Sequence, residues 1–306
     1  MSAIIPDSPE SHPTKSDDKA LRAITEDGAF RVIAVRSTHT VRGAIEAQNL
    51  KGAEARLFAE LLTGAILIRE TMAPDLRVQC ILQASEKGGR MIADAHPDGT
   101  TRGIAQLVAS TREGAADGSK EIRLATGALF QVARTLHNGA IHQGVVKVPE
   151  GGSISGAIMA YMQDSEQVVS VAAVGCALDG EGSVTSSGGY ILQLLPEVGE
   201  GPLMVMTERM KDFERIENLL ERGAADPQKL LEEILYGMPY ATTGEDPLRF
   251  GCNCSTTRVT ASLATLPKKE IQNFIDDGRL LEIACDYCGK QYKIAPEQLR
   301  GLLEAH

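Results

Sequence analysis

Hydrophobic positions along the chain switch between a period of two and a period near 3.6, and the switches mark out its elements. The run 29–35, Ala-Phe-Arg-Val-Ile-Ala-Val, is rich in β-branched residues and predicts a strand. Positions 49–72 carry Leu57, Phe58, Leu61, Leu62, Ala65 and Ile66 at helical spacing, with Pro74 just beyond, and predict a helix with one apolar face. Gly64 inside it predicts a close approach to another backbone. Over 76–83 the pattern alternates, with Leu76, Val78, Cys80 and Leu82 on one side and Arg77, Gln79 and Gln83 on the other, as in a half-buried strand. Segments 90–95 and 102–108 flank Pro97-Asp98-Gly99, a hairpin signal in which Asp-Gly supplies the turn. Further strands are expected at 121–124, 128–132 and 141–148. A helix is expected from Ser153 or Ser155 to Gln163, with Ile154, Ile158, Tyr161 and Met162 at helical spacing. Two apolar runs, 168–178 and 183–195, surround an Asp179-Gly180-Glu181-Gly182 turn and read as central strands buried on both faces.

After Pro202 the pattern becomes helical and strongly charged. Thr207 is placed to cap a helix reaching Arg222, with Met210, Phe213, Ile216, Leu219 and Leu220 in one apolar stripe and Gly223 at its end. Asp226-Pro227 opens a second helix, whose Leu230, Leu231, Ile234 and Leu235 face one way until Gly237. Neither helix can bury its stripe alone, so both must lie on another surface. Eight charged side chains fall between Glu208 and Glu221, which allows a segment that detaches as readily as one that stays packed.

Beyond 248 the chemistry concentrates. Cys252-Asn253-Cys254 and Cys285-Asp286-Tyr287-Cys288 form two hooks separated by the 30 residues 255–284. Closely spaced cysteine pairs offer two sulfurs each, so the hooks predict one tetrahedral zinc site with Cys252, Cys254, Cys285 and Cys288 as ligands. The first hook has one intervening residue where an ordinary zinc ribbon has two. Cys80 and Cys176 fall in apolar strand patterns and are expected as core residues. Thiolates held by a metal stay in the form an oxidant attacks, so such a cluster is either a rigid structural site or a redox centre. Residue spacing leaves both open, together with a weaker third reading of Cys285 and Cys288 as a thiol–disulfide oxidoreductase pair.

Composition narrows the classes further. The formal charge of −10, and the seven basic against seven acidic side chains from Phe250 onward, argue against a nucleic-acid partner. Residues 1–18, with Pro6, Pro9 and Pro13 among acidic and hydroxyl side chains, read as a disordered tail without the pattern of a leader. The longest apolar run, 61–68, is far short of a membrane span, so a cytosolic protein with reduced thiols is expected. His39, His96, His137 and His142 lack metal-ligand spacing, and no nucleophile–base motif accompanies them, so no enzyme is expected. The whole reads as an α+β chain: a mixed β-sheet domain with packed helices over 19–202, a helical linker over 203–248 and a small zinc-binding domain over 249–306.

These residues carry a resemblance. The chain resembles the heat shock protein 33 family of redox-regulated 33-kDa chaperones from about Lys19 onward, most specifically in Cys252-Asn253-Cys254-Ser255, the spacer, and Cys285-Asp286-Tyr287-Cys288-Gly289 followed by Tyr292. Arg36-Ser37-Thr38, the stretch from Asp94 to Arg102-Gly103, Ser165-Glu166-Gln167 and 188–196 support it. The resemblance implies a metastable linker and a chaperone that is inactive when reduced and zinc-bound. It further implies that oxidation pairs Cys252 with Cys254 and Cys285 with Cys288, releases zinc, unfolds the linker and yields a homodimer holding unfolding client proteins without ATP. A constitutive zinc-binding protein-interaction module without redox cycling is the alternative. The sequence departs from the family pattern at Thr256-Thr257, where an acidic residue is expected before Arg258, and at His142, where an aromatic one is.

Overall fold

The computed structural model describes residues 17–84, 89–109, 120–121, 127–136, 138–149, 151–196, 199–213, 216–221 and 226–304. The first part of the chain forms β1 (Lys19–Thr25), β2 (Phe30–Arg36), α1 (Thr38–Ala47), α2 (Gly52–Thr71), β3 (Arg77–Gln83), β4 (Arg90–Ala95) and β5 (Thr100–Gln106). The short pair β6 (Val108–Ala109) and β7 (Lys120–Glu121) precedes β8 (Leu129–Thr135), β9 (Ile141–Lys147), α3 (Ile154–Asp164), β10 (Ser170–Leu178) and β11 (Val184–Leu194). Three helices follow, α4 (Glu200–Met210), α5 (Ile216–Glu221) and α6 (Pro227–Ile234), then β12 (Tyr240–Pro247) and β13 (Arg249–Phe250). The last stretch holds α7 (Thr256–Ser262), α8 (Lys268–Asp276), β14 (Leu281–Ala284), β15 (Gln291–Ile294) and α9 (Pro296–Glu304). The expected strand at 121–124 lies outside the described residues except for Glu121, and so does His137.

The fold is α+β, as expected, and it is built in layers. One sheet has the order β10-β11-β2-β1-β12 and the other β13-β5-β4-β3-β8-β9. In β2 the pleat sends alternate side chains to opposite faces. Ile33 and Val35 join the core around α2, whereas Phe30, Val32 and Ala34 join a second core under α4, α5 and α6. The layers thus run from the charged helices, through the five-stranded sheet and the helices α1 to α3, to the six-stranded sheet.

Helix α2 is buried on every side from Leu61 to Glu70, not on one face, because it lies between the two sheets. The close approach expected at Gly64 is to side chains: a Cβ there would sit 2.9 Å from Ile158 Cδ1 of α3. Strand β3 alternates as read, with Val78, Cys80 and Leu82 buried. The Asp-Gly hairpin is present between β4 and β5, with Gly99 at φ +78°. The two apolar runs form the β10–β11 hairpin, but β10 is an edge strand; its buried residues are covered by α2, α3 and α5.

Between 200 and 235 the apolar stripe holds and the cap does not. Helix α4 starts at Glu200, and Thr207 lies in its interior, where its hydroxyl donates to the Leu203 carbonyl at 2.8 Å. Met210, Phe213, Ile216 and Leu220 are buried against the sheet as the stripe requires. Asp226 does cap α6, accepting from the Gln228 amide at 2.9 Å, with Pro227 in the first turn. Two elements that the hydrophobic pattern did not announce frame this layer. Strand β1 pairs with β2 on one side and with β12 on the other. Asp18, placed by the sequence reading in the tail, is buried and belongs to the fold: its carboxylate accepts from the amide and hydroxyl of Thr40 at 2.7 and 2.8 Å, and its carbonyl from the Leu248 amide.

Candidate metal centre

Short-range geometry delivers each hook to the same point. The first follows β13, whose Arg249 and Phe250 pair in parallel with Thr100 and Thr101 of β5, and the Gly251 amide extends the ladder to the Thr101 carbonyl at 3.2 Å. A side chain is excluded at Gly251, where a Cβ would lie 2.8 Å from Thr100 Cγ2. Immediately after Cys254, Ser255 caps α7 by accepting from the Arg258 amide at 3.2 Å, turning the chain away. The second hook is the turn between β14 and β15. There the Gly289 amide donates to the Cys285 carbonyl at 2.8 Å and the Cys285 amide to the Lys290 carbonyl at 2.9 Å, with Gly289 at φ +70°.

The four sulfurs of Cys252, Cys254, Cys285 and Cys288 all lie within 4.8 Å of one another, each partly buried. Between the hooks, Cys252 lies 3.8 Å from Cys285 and Cys254 3.5 Å from Cys288. A tetrahedral Zn²⁺ with Zn–S bonds of about 2.3 Å spaces its sulfurs about 3.8 Å apart, so this set fits such an ion. The surroundings fit anionic sulfur as well. The Tyr292 hydroxyl donates to Cys254 Sγ at 2.9 Å, and Arg102 Nη1 donates to Cys252 Sγ at 3.3 Å. Cys80 and Cys176 are buried in the core and are not members of this cluster, and burial pushes both thiols up, Cys176 to about 12.

Arg102 reaches further than one sulfur. The same guanidinium donates to Asn253 Oδ1 at 2.8 Å and to Asp94 Oδ2 at 3.0 Å, and it lies 4.0 Å over the ring of Tyr287, between the cysteines of the second hook. Asp94 is fully buried on β4, where burial alone would raise its pKa; hydrogen bonds and charge from His96 and Arg77 outweigh that and hold the carboxylate well below its usual range. Gln48, just past α1, completes the junction, donating to the carbonyls of Asp286 and Tyr287 at 2.7 and 3.2 Å and accepting from the Ala105 amide at 3.0 Å. Hydrophobic periodicity contains no trace of Gln48. A cleft of about 300 Å³ beside Cys254 and Cys285, lined also by Arg102, Arg258 and Tyr287, gives small solutes access.

With this geometry in place, comparison with known proteins is decisive. The family model described as Hsp33 protein matches residues 18–295. The chain belongs to the Hsp33 family. Among curated relatives, the 33 kDa chaperonin of Agathobacter rectalis is 28% identical over 300 residues, covering 93% of this chain and 99% of the relative. That of Bacillus subtilis is 25% identical over 287 residues, covering 93% and 98%. The crystal structure of the 33 kDa chaperonin from Thermotoga maritima, titled an Hsp33 homologue, superposes with a TM-score of 0.79 at 21% identity over 95% of this chain and 99% of that one. This last likeness speaks for the Hsp33 fold. Kinship to 33 kDa chaperonins supports a chaperone, and four clustered cysteines are consistent with zinc. Among the described residues no helix is long and apolar enough to cross a membrane.

Proposed function

We propose that the chain is a redox-regulated, ATP-independent holdase chaperone of the cytosol, without enzymatic activity, resting in a reduced form with one zinc ion on Cys252, Cys254, Cys285 and Cys288. The observation that carries this reading is the pairing of that four-sulfur cluster with a charged helical layer laid on one sheet face. Helices α4, α5 and α6 cover one face of the five-stranded sheet, where Leu21, Phe30, Val32, Tyr190 and Leu192 are apolar and buried beneath them. Removing the layer would uncover a broad apolar surface, the kind that binds unfolded chains. The reading divides the chain into a body over 19–202, a metastable linker over 203–248, of which the helices α4, α5 and α6 are the part that detaches while β12 stays paired with β1, and a redox-switch domain over 249–306.

Bound zinc would keep the four sulfurs deprotonated and ordered. The chain's own contribution is the oxidation. Four thiolates give four electrons to two molecules of hydrogen peroxide, which end as four hydroxide ions; two S–S bonds form, Cys252 to Cys254 and Cys285 to Cys288. No thiolate then remains to ligate a metal, and a module with so small a core loses its order. Loosening of 249–306 frees the linker, and the uncovered sheet face takes up unfolding clients as the protein dimerises.

The test compares reduced, zinc-loaded protein with peroxide-treated protein for suppression of aggregation of a thermally unfolding client, following zinc release with a chromogenic chelator. Suppression is expected only after oxidation, in step with release of the metal. Equal protection in both states, or zinc retained through peroxide and mild heat, would instead leave a constitutive zinc-binding interaction module.

A further inference from the structure

Arg102 touches both hooks and the sheet on which they rest. Its guanidinium is only 11% exposed and is shared between a permanent anion, Asp94, and a conditional one, the sulfur of Cys252. Asp94 already has a cation of its own, since Arg77 grips it with Nε and Nη2 at 2.6 and 2.8 Å. The second positive charge at this site is therefore balanced by the cysteine centre. Four thiolates around a divalent ion carry a net charge of about −2, whereas disulfide sulfurs are neutral and poor acceptors. In the oxidised state the half-exposed Arg77 and the mostly buried Arg102 would be left with one carboxylate between them.

The rest of the junction includes a two-residue ladder between β13 and β5, the Gly251 amide bond, an exposed Arg249–Asp98 ion pair at 3.4 Å, the packing of Phe250 against Gly43 and the contacts of Gln48. Resting on the redox reading above, we propose that Arg102 is a charge-sensing latch: it clamps the cysteine module to the six-stranded sheet while Cys252 carries anionic sulfur, and lets go when that sulfur enters a disulfide. A planar fork suits this task and an ammonium does not, because hydrogen bonds to Asp94, Asn253 and Cys252 and stacking on Tyr287 all use one rigid group. The latch makes Arg102 a positioning residue, acting on the module's attachment and not on the oxidation itself.

Amide hydrogen exchange of the full chain, reduced and zinc-loaded, provides the test, read at 249–251 with zinc content measured alongside. Arg102→Gln is expected to speed exchange there by about tenfold or more, the size expected for loss of a charge-assisted hydrogen bond, while zinc stays bound. Arg102→Lys keeps the charge without the fork and is expected to fall between the two. Lys293→Gln, which removes a distant exposed cation paired with Glu282, controls for net charge and is expected to leave exchange unchanged. Should Arg102→Gln fail to fold, Tyr287→Leu removes the stacking partner alone and is expected to speed exchange severalfold. Wild-type protection in zinc-loaded Arg102→Gln, or equal acceleration in Lys293→Gln, would overturn the latch. Peroxide treatment of the wild type separates the two proposals: zinc retained there defeats the redox reading, while the reduced-state comparison still decides whether Arg102 holds the junction.

Discussion

The body and the cysteine module solve the same problem with very different means. In the body, α2 is enclosed by two sheets, and Phe58, Leu61, Leu62, Ile66 and Leu67 have no exposed surface to speak of. Among the described residues of the module the buried apolar ones are Val259, Ile271, Tyr292, Ile294 and Leu299, too few to order some fifty residues by burial alone. The body is held by area removed from water, the module by whatever holds four sulfurs together. Under the proposed redox switch, the difference would put the switchable part of the molecule where the hydrophobic effect is weakest, so that a change in sulfur chemistry would unfold one region and spare the other.

Removing the metal should separate the two regions most sharply. Structural zinc in small modules contributes about 10–16 kcal/mol of apparent binding free energy at neutral pH, so a strong chelator is expected to abolish exchange protection over 256–299 while β2 and α2 stay protected. Retained protection in the module without metal would mean that its small core suffices. Next in size, Leu62→Ala is expected to destabilise the body by about 2–5 kcal/mol in a denaturant titration without altering zinc affinity, because α2 lies between both sheets. A loss of zinc affinity of matching size would show the two regions to be one cooperative unit. The smallest effect is expected from Ser255→Ala, which removes the cap of α7 directly after the first hook. It should cost about 1 kcal/mol of module stability, seen as earlier zinc loss on heating, with the melting of the body unmoved.

The same contrast governs what could be read from sequence. Strongly periodic elements were legible: β2 with its β-branched run, β3 with its alternation, the Asp-Gly hairpin and the stripe of α5 and α6. Strands β1 and β12 were not. Lys-Ala-Leu-Arg-Ala-Ile-Thr and Tyr-Ala-Thr-Thr-Gly-Glu-Asp-Pro have little strand character of their own, and they are extended because they pair with each other at the margin of a sheet already formed by β2 and β11. Helix α1 was missed because Val41, Ala44 and Ile45 make too short a stripe to stand out. At the centre, the four clustered cysteines were legible because their spacing is local to each hook. Arg102 lies 150 residues before Cys252, and Gln48 lies 238 before Asp286, so their place beside the sulfurs is a product of tertiary structure.

The stretch from Tyr240 to Phe250 crosses from one sheet to the other in a single stride, with seven residue pairs tying β12 to β1 and two tying β13 to β5. Seen as a mechanical linkage, this is a strong joint in series with a weak one. Were the module to loosen as proposed, tension would meet β13 first, at its two pairs with Thr100 and Thr101, and β12 with its seven pairs would be the later to give. A break at Arg249, two residues beyond the β12 pair at Pro247, would leave the body its edge strand.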